Sequence, residues 1–479
     1  MFECCGFSPI RDSTENQERK GPIMGLQNWF SRVLMSTWFR EITVIDAENL
    51  PNDRGSVIVS WHPGGLFDKM LTRGLLPDNQ YAFDGILDSE EELNKISKKV
   101  AEGSNIIVFP EGDSHSSPKA KKIQDNAARI AIRAKELADG KPPVIVPVGI
   151  HYSKKHYFRE RVALTVERPL EISGNVEQLS DVISGEISRA SLSRDDWKDR
   201  ELIWKARSII HAERMRKSPE IKDLENYGQT VIGARRVRAA WEWFAENEPE
   251  KCQELENRTR AHFERIDFLD LKPHHVDTRP QSVTLYGFMK SIFFWLFAWS
   301  FMLGFVTFSA LAGSLPPFLT VVGIDRTFGP KFDDSKRGSL KLYTALAAYP
   351  VWWLIAAYAF TWTLLSDSSP IAWLADYSLI IEFLFSLPAP LVFPLMAWWM
   401  PASAKLQIKL YVKGKSSWRR MRLWAKWRNQ SFNWDELCKS QQKLASDLVN
   451  IGDGLILPGD NDWVEPSAGL DDISAVSLR

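Results

Sequence analysis

Three long segments without lysine or arginine constrain the fold of this chain more than any other feature. Residues 291–324 and 342–365 carry no charge, and 378–400 contain a single acid, Glu382. A bilayer core of about 30 Å needs about 20 helical residues, so the last two segments each predict one crossing. The first has 34 residues and is broken by the Gly/Pro-containing run 313–317. It predicts a span followed by a re-entrant or interfacial piece, with a tight hairpin as one alternative and a buried soluble core as the other.

The charges of the connecting loops predict a topology. Loop 325–341 and the residues after 400 are rich in lysine and arginine, whereas 366–377 contain neither. By the positive-inside rule, the first two lie in the cytoplasm and 366–377 lie outside. Because residues 1–23 show no signal-peptide pattern, we expect the N-terminal part on the cytoplasmic side. That placement requires 291–324 to cross the membrane an even number of times.

Ahead of the membrane region, strand-like and helical stretches alternate. Helical patterns cover 89–102 and 124–138, and the first begins with Ser89 as a cap and Glu92 three residues later. This alternation predicts an α/β fold with a mostly parallel sheet flanked by helices. The amphipathic run 26–40 predicts a helix that either packs on this domain or lies in the membrane interface. The predicted strands are 42–45, 56–60, 106–109, 144–148 and 162–166.

The predicted domain order has five parts. A polar segment precedes the α/β domain, and a charged helical region follows it, with arginine and glutamate clusters that we interpret as solvated faces. A C-terminal helical transmembrane region and a basic, then acidic, cytoplasmic tail complete the chain. The boundaries are 1–25, 26–172, 173–283, 284–400 and 401–479.

Composition narrows the classes of function. The chain has 60 basic and 60 acidic residues, so its net charge offers no argument for nucleic-acid binding, and no nucleic-acid motif is present. The four cysteines have no metal-ligand spacing and are too few for a disulfide framework. A reducing compartment is therefore expected.

One candidate catalytic pair follows a predicted buried strand. After 57–60 the chain reads Trp61-His62-Pro63-Gly64-Gly65, and Asp68 lies six positions beyond His62. A histidine with a carboxylate in reach can take a proton from a hydroxyl. The alternative is a strand, turn and helix in which the histidine only caps the structure.

Two further strand ends complete a pattern. The first reads Phe109-Pro110-Glu111-Gly112-Asp113-Ser114-His115, and the second includes Val146-Pro147-Val148-Gly149. In this order, the three blocks resemble the membrane glycerophospholipid acyltransferase superfamily. The five residues between His62 and Asp68 are similar to the branch of glycerol-phosphate and dihydroxyacetone-phosphate acyltransferases. The resemblance covers about residues 26–172.

The resemblance implies a role for each residue. His62 would be the general base for an acceptor hydroxyl, and Asp68 would orient it. A motif after the second strand would bind the polar head of the acceptor, and two arginines would be candidates for its phosphate. These substrate-binding residues are Pro110, Glu111, Gly112 and Ser114, and then Arg159 and Arg161.

The sequence also departs from the family pattern. Trp61 stands where an asparagine is usual, and Gln124 where a lysine is usual. Only 48 residues separate His62 from Glu111, so the usual second block with its phosphate-binding arginine is largely missing. Arg73 is the only arginine in this interval. These differences concern the acceptor more than the reaction.

The resemblance implies an integral-membrane O-acyltransferase of phospholipid biosynthesis or remodelling. The donor would be acyl-CoA or acyl-carrier protein, and the acceptor a glycerophospholipid precursor such as glycerol phosphate or a lysophospholipid. Membrane lipids would be the other partners, and no metal or organic cofactor is implied. Two alternatives stay open: a non-phosphate lipid acceptor, and a catalytically inactive lipid-binding protein of the same fold.

Overall fold

The computed structural model of the protein describes most of the chain. The predicted segment 1–25 and the loop 366–377 lie outside the described residues, as do residues 378–381 and 384–385 of the predicted span 378–400. The described residues are 31–75, 79–83, 87, 89–194, 196–218, 226–276, 284–304, 306–365, 382–383, 386–429 and 433–479.

A seven-stranded sheet forms the first part of the molecule. Six strands run in the order β1-β6-β5-β2-β4-β3, and β7 pairs with β5. The pairs β1–β6, β5–β2, β2–β4 and β4–β3 are parallel, and only the pairs of β5 with β6 and β7 are antiparallel. The predicted α/β class with a mostly parallel sheet is confirmed. The strands are β1 Glu41–Ile45, β2 Ser56–Ser60, β3 Asn79–Phe83, β4 Asn105–Val108, β5 Val144–Tyr152, β6 Arg161–Val166 and β7 Leu170–Glu171.

Both faces of the central strands are covered by helices. In β2, Ile58 points to a core shared with helix α2, whereas Val57 and Val59 point to the opposite core against α4 and α5. All three side chains are fully buried, as expected for a parallel strand between two helical layers. The helices of this part are α1 at 31–38, α2 Leu66–Leu75, α3 Glu90–Ala101, α4 Asn126–Leu137 and α5 Val176–Ala190.

Local sequence patterns predicted most of these strands and helices. Ser89 caps α3 and its hydroxyl accepts a hydrogen bond from Glu92 N at 3.2 Å. The alternation of strand-like and helical stretches in the sequence did not predict β3, which lies at one edge of the sheet. Helix α1 packs on the α/β layers through Met35 and Trp38, which are 1% and 6% exposed.

A second, helical core joins the charged region to the C-terminal residues. Leu202 of α6 and Phe263 of α8 pack with Leu437 and Leu444, which lie in what the sequence indicated as a tail. The helices are α6 Trp197–Lys217, α7 Tyr227–Asn247, α8 Pro249–Phe268 and α9 Pro273–Val276. The last α-helix among the described residues, Trp434–Asn450, is α14, and the paired strands β8 Leu455–Ile456 and β9 Ser477–Leu478 follow it.

The interpretation of the arginine and glutamate clusters as solvated faces is wrong for several members. Glu186 and Arg189 are 0% and 5% exposed and form an ion pair at 2.6 Å. Arg235 binds Asp472 at 2.7 Å, and Gly469 N donates to Glu186 at 2.8 Å. The C-terminal segment covers these charges, and helical spacing within one segment cannot reveal a distant partner.

The apolar region forms four helices among the described residues. These are α10 Leu285–Leu303, α11 Leu315–Phe328, α12 Asp334–Leu365 and α13 Ala389–Asn429, with a π-helical segment Phe308–Ser314 before α11. Three stretches, Leu285–Leu303, Phe308–Lys331 and Asp334–Thr363, are long and apolar enough to cross a membrane. Segment 291–324 is thus built as two helices that extend past its uncharged ends, which supplies the length that two crossings need.

Candidate active site

His62 and Asp68 lie at the carboxyl edge of the sheet, where parallel α/β folds place their chemistry. Strand β2 ends at Ser60, which pairs with Val148 of β5. The chain then turns through Gly64 and enters α2, whose first turn carries Asp68. A Cβ at position 64 would lie 2.6 Å from Asp68 Oδ1, so the turn needs a glycine there.

The contacts of Asp68 fix the tautomer of His62. Asp68 Oδ2 lies 2.8 Å from His62 Nδ1 and accepts from Gly64 N at 2.7 Å. Its Oδ1 accepts from the Tyr152 hydroxyl at 2.5 Å. A carboxylate acceptor places the histidine proton on Nδ1, so Nε2 is the nitrogen that can act as a base. The predicted pair is therefore brought together in the geometry that general-base chemistry requires.

Aromatic side chains enclose the pair. The His62 ring stacks on Phe109 with centroids 4.4 Å apart, and the residue is 3% exposed. Asp68 is fully buried. Burial also raises the pKa of the Tyr152 hydroxyl well above its usual value, and the adjacent Asp68 adds to this shift. Tyr152 therefore stays a donor to the carboxylate, a role for which the sequence offered no signal beyond its place at the end of β5.

Glu111 lies at the end of the neighbouring strand, but its carboxylate faces inward. One oxygen accepts from His62 N at 2.7 Å, and the other accepts from Lys121 N at 2.6 Å and from His115 Nε2 at 2.8 Å. The side chain has no exposed surface. His115 N in turn donates to His62 O at 3.1 Å. In these contacts Glu111 holds the histidine-bearing turn, rather than presenting an oxygen to a substrate.

The rest of that motif forms the turn around Glu111. Pro110 O accepts from Gln124 N at 2.7 Å, and Gly112 has a φ of +79°, which favours glycine. Ser114 is 9% exposed, and its Oγ would lie 3.6 Å from a Cβ at position 65, in the turn between His62 and Asp68. Ser114 therefore lies beside the turn between His62 and Asp68, which Glu111 contacts directly through His62 N.

The two candidate phosphate-binding arginines are engaged elsewhere. Arg159 Nη1 donates to the carbonyls of Ser36, Thr37 and Phe39 at 3.2–3.4 Å, at the carboxyl end of α1. Arg161 lies two strands from β2, with its guanidinium 4.9 Å from the centroid of the Tyr227 ring. The structure does not bring either arginine to the His62–Asp68 pair.

A buried lysine near the site was not predicted. Lys155 Nζ lies 5.8 Å from the centroid of the Trp61 ring. Burial and the nearby Arg200 lower its pKa to about 8, while Asp68, Asp333 and Asp334 act in the opposite direction. The loop after β5 is the only sequence signal that could have indicated this position.

Comparisons with known proteins agree with the sequence motifs. No family model matches the chain. An uncharacterized acyltransferase of Schizosaccharomyces pombe is 30% identical over 149 residues, which are 28% of this chain and 22% of that protein. Glycerol-3-phosphate O-acyltransferase 2 of Saccharomyces cerevisiae is 21% identical over 157 residues, 33% of this chain and 19% of that one. Glycerol-3-phosphate O-acyltransferase 1 of the same yeast is 30% identical over 105 residues, 21% and 13% of the two chains.

Among solved structures, the 1-acyl-sn-glycerophosphate (LPA) acyltransferase PlsC from Thermotoga maritima is similar, with 18% identity and a TM-score of 0.30. The similarity covers 36% of this chain and 79% of that one. The curated matches confirm the resemblance to the glycerophospholipid acyltransferase superfamily, in the branch of the glycerol-phosphate acyltransferases. The matched region spans less than a quarter of the length of each curated relative.

Proposed function

We propose that this chain is a membrane-bound O-acyltransferase that transfers a fatty acyl group to a hydroxyl of glycerol phosphate or a lysophospholipid. The observation that carries the proposal is the 2.8 Å contact of His62 Nδ1 with a buried Asp68 at a sheet edge. The named activities of the curated relatives support the choice of reaction.

The proposed reaction needs no covalent acyl-enzyme. His62 Nε2 removes the proton of the acceptor hydroxyl as that oxygen attacks the thioester carbonyl of acyl-CoA or acyl-carrier protein. The tetrahedral intermediate collapses to the ester and expels the thiolate, which takes the proton back from His62. Asp68 stabilises the imidazolium between the two steps through the Nδ1 hydrogen bond.

A non-phosphate lipid acceptor is the second candidate. It is favoured by the positions of Arg159, whose guanidinium binds carbonyls of residues 36–39, and of Arg161, which covers Tyr227. Both arginines were expected to bind a phosphate, and neither lies at the His62–Asp68 pair. An acceptor with an uncharged head would need no such group.

The test is acyl transfer by the purified full chain in lipid vesicles. Labelled acyl-CoA and acyl-carrier protein are each offered with glycerol phosphate, lysophosphatidic acid and uncharged lipid alcohols. We expect transfer to at least one phosphate acceptor, and we expect His62→Ala to abolish it. The exposed His275→Ala is the matched control and should retain wild-type rates. Transfer that survives His62→Ala would exclude the assigned base, and transfer only to uncharged alcohols would favour the second candidate.

We further propose that the α/β part and loop 325–341 share the cytoplasmic side of the membrane. The direct contact of Asp113 with Lys336 at 3.0 Å supports a common side for the two parts. A cysteine introduced in 366–377 should then react with an impermeant reagent on intact cells. Labelling of that cysteine only after lysis would contradict the topology.

A further inference from the structure

The first turns of membrane helix α12 lie directly on the turn that carries His62 and Asp68. Leu66 N, in that turn, donates to Ser339 Oγ at 3.2 Å. Gly65 has a φ of +61°, and a Cβ there would lie 3.0 Å from Ser335 O and 3.0 Å from Ser339 Oγ. The catalytic turn and the helix therefore approach each other as closely as a glycine allows.

The same end of α12 also binds the loop after β4. Ser116 N donates to Asp333 Oδ2 at 2.8 Å, and Ser335 N donates to Ser116 Oγ at 3.1 Å. These two bonds connect the start of α12 to the loop that follows the Glu111 turn. The ion pair of Lys336 with Asp113 is half-exposed on both sides, so it adds little energy.

A third contact reaches the loop after β5. A Cβ on Gly338 would lie 2.8 Å from the Phe67 ring and 3.7 Å from His156 Cα. Lys341 Nζ donates to His156 O at 3.3 Å, and Leu342 is 2% exposed in the core that contains Phe67. One helix end thus contacts the loops after β2, β4 and β5, the three strands whose ends form the site.

We propose that residues 333–342, at the start of α12, are a positioning element of the active site, and that Ser339 holds the Gly64–Leu66 turn in its reactive geometry. The inference rests on the proposed acyl transfer. The turn sets the direction of His62 through Gly64 N and Asp68, so a shift of the turn moves the base. Misplacement of a catalytic group by about 1 Å costs about a hundredfold in rate. Folding of the membrane region onto the α/β part is then a condition for catalysis.

The packing is tested by a cross-link that needs no activity. In the full chain in vesicles, Ser116→Cys combined with Ser335→Cys should form an intramolecular disulfide under mild oxidation, and either single variant should not. Ser116→Cys with Thr344→Cys is the control, because residue 344 lies nine residues, or about 13 Å, further along the helix. Equal cross-linking of both pairs, or of neither, would overturn the docked position of α12.

The positioning role is tested by kinetics. Ser339→Ala should lower kcat about ten- to a hundredfold and leave KM for both substrates nearly unchanged, because it removes the hydrogen bond to Leu66 N without a new charge. Ser339→Thr keeps the hydroxyl and should restore most of kcat. Thr344→Ala is the matched control. The Thr344 hydroxyl donates to Leu340 O within the same helix, so its removal should leave the kinetics of wild type.

The two failures are distinguishable. If wild type transfers no acyl group, the proposed function fails whether or not the cross-link forms. If wild type is active and Ser339→Ala matches its kcat, only the positioning role of α12 is overturned. A rise in KM without a fall in kcat would also overturn it, because it would indicate that Ser339 binds substrate.

Discussion

At the residue scale, the environment of Asp68 determines what His62 can do. The Asp68 carboxylate accepts hydrogen bonds from His62 Nδ1, Gly64 N and the Tyr152 hydroxyl, all within 2.8 Å. Charge-assisted hydrogen bonds of this kind are about twice as strong as neutral ones. They keep the Asp68 carboxylate in one orientation. The His62 ring, which is bonded to that carboxylate, is therefore held in one tautomer and one orientation.

Removal of the Tyr152 hydroxyl tests this arrangement. Tyr152→Phe deletes one of the three donors to Asp68 and should lower kcat by about ten- to a hundredfold, since a hydrogen bond to a charged group contributes about 1.5–3 kcal/mol. KM should change little, because the hydroxyl donates its proton to the Asp68 carboxylate. Steady-state kinetics of the variant measures both values, with the exposed Tyr157→Phe as the control. An unchanged kcat would show that two donors are enough.

His151, next to Tyr152 in β5, makes stability depend on pH. Burial, with a smaller contribution from Arg200, lowers the pKa of His151 to about 3 in the folded protein. An unfolded histidine titrates near pH 6.5, so only the unfolded state gains this proton as the pH falls from about 6.5 towards 3. The free energy of unfolding should decrease over that window.

The matching measurement compares thermal unfolding midpoints at about pH 7 and about pH 5. His151→Gln removes the titrating group, so its midpoint should fall less between the two conditions than that of wild type. An equal fall in both proteins would assign the pH dependence to other groups.

At the scale of helices and strands, the motifs indicated which strand ends form the site, but not the direction in which each side chain points. Three strand ends containing His62, Glu111 and Val148 indicated a common edge, because parallel strands place their carboxyl ends together. The direction of the Glu111 side chain depends on Lys121 N and His115, which belong to a loop with no periodic signal. The common edge thus follows from the mostly parallel sheet that the sequence predicted, whereas the inward orientation of the Glu111 carboxylate required the structure.

Glu111→Gln separates the two roles that have been considered for this residue. The amide keeps one acceptor but turns a donor towards the three N–H groups that Glu111 binds, so one hydrogen bond or more is lost, at about 1–3 kcal/mol of stability. If Glu111 positions the His62 turn, kcat should fall and the acceptor KM should stay nearly constant. A many-fold rise in acceptor KM at unchanged kcat would support the head-group binding that the sequence predicted.

The candidate membrane-spanning helices show a different limit of sequence reasoning. Segment 291–324 was judged short for two crossings because its uncharged length ends before Asp325. In the structure, α10 begins at Leu285 and includes Lys290, and the next candidate span reaches Lys331. Charged residues near the ends of a span can reach the interface, so an uncharged run underestimates the length of a helix.

At the scale of the whole molecule, the C-terminal residues complete the helical core. Trp434, Leu437 and Leu444 of α14 are buried against α6 and α8, and Asp471 and Asp472 pair with arginines of α7. The sequence indicated a basic, then acidic, cytoplasmic tail there, because charged residues dominate the local pattern. Contacts between residues about 200 positions apart leave no local periodicity from which they could be predicted.

A buried leucine in α14 tests whether this closure stabilises the protein. Leu444 is 2% exposed, so Leu444→Ala should leave a cavity and cost about 2–5 kcal/mol in the free energy of unfolding of the helical core. Val449→Ala, at a position 42% exposed on the same helix, is the matched control and should change stability by less than about 0.5 kcal/mol.

Thermal unfolding and limited proteolysis of the full chain report both effects. If the two variants unfold alike and 433–479 are cleaved as readily in wild type as in Leu444→Ala, the C-terminal residues are not an integral part of the core. If only Leu444→Ala opens the core, the segment that the sequence indicated as a tail holds the helical layer together.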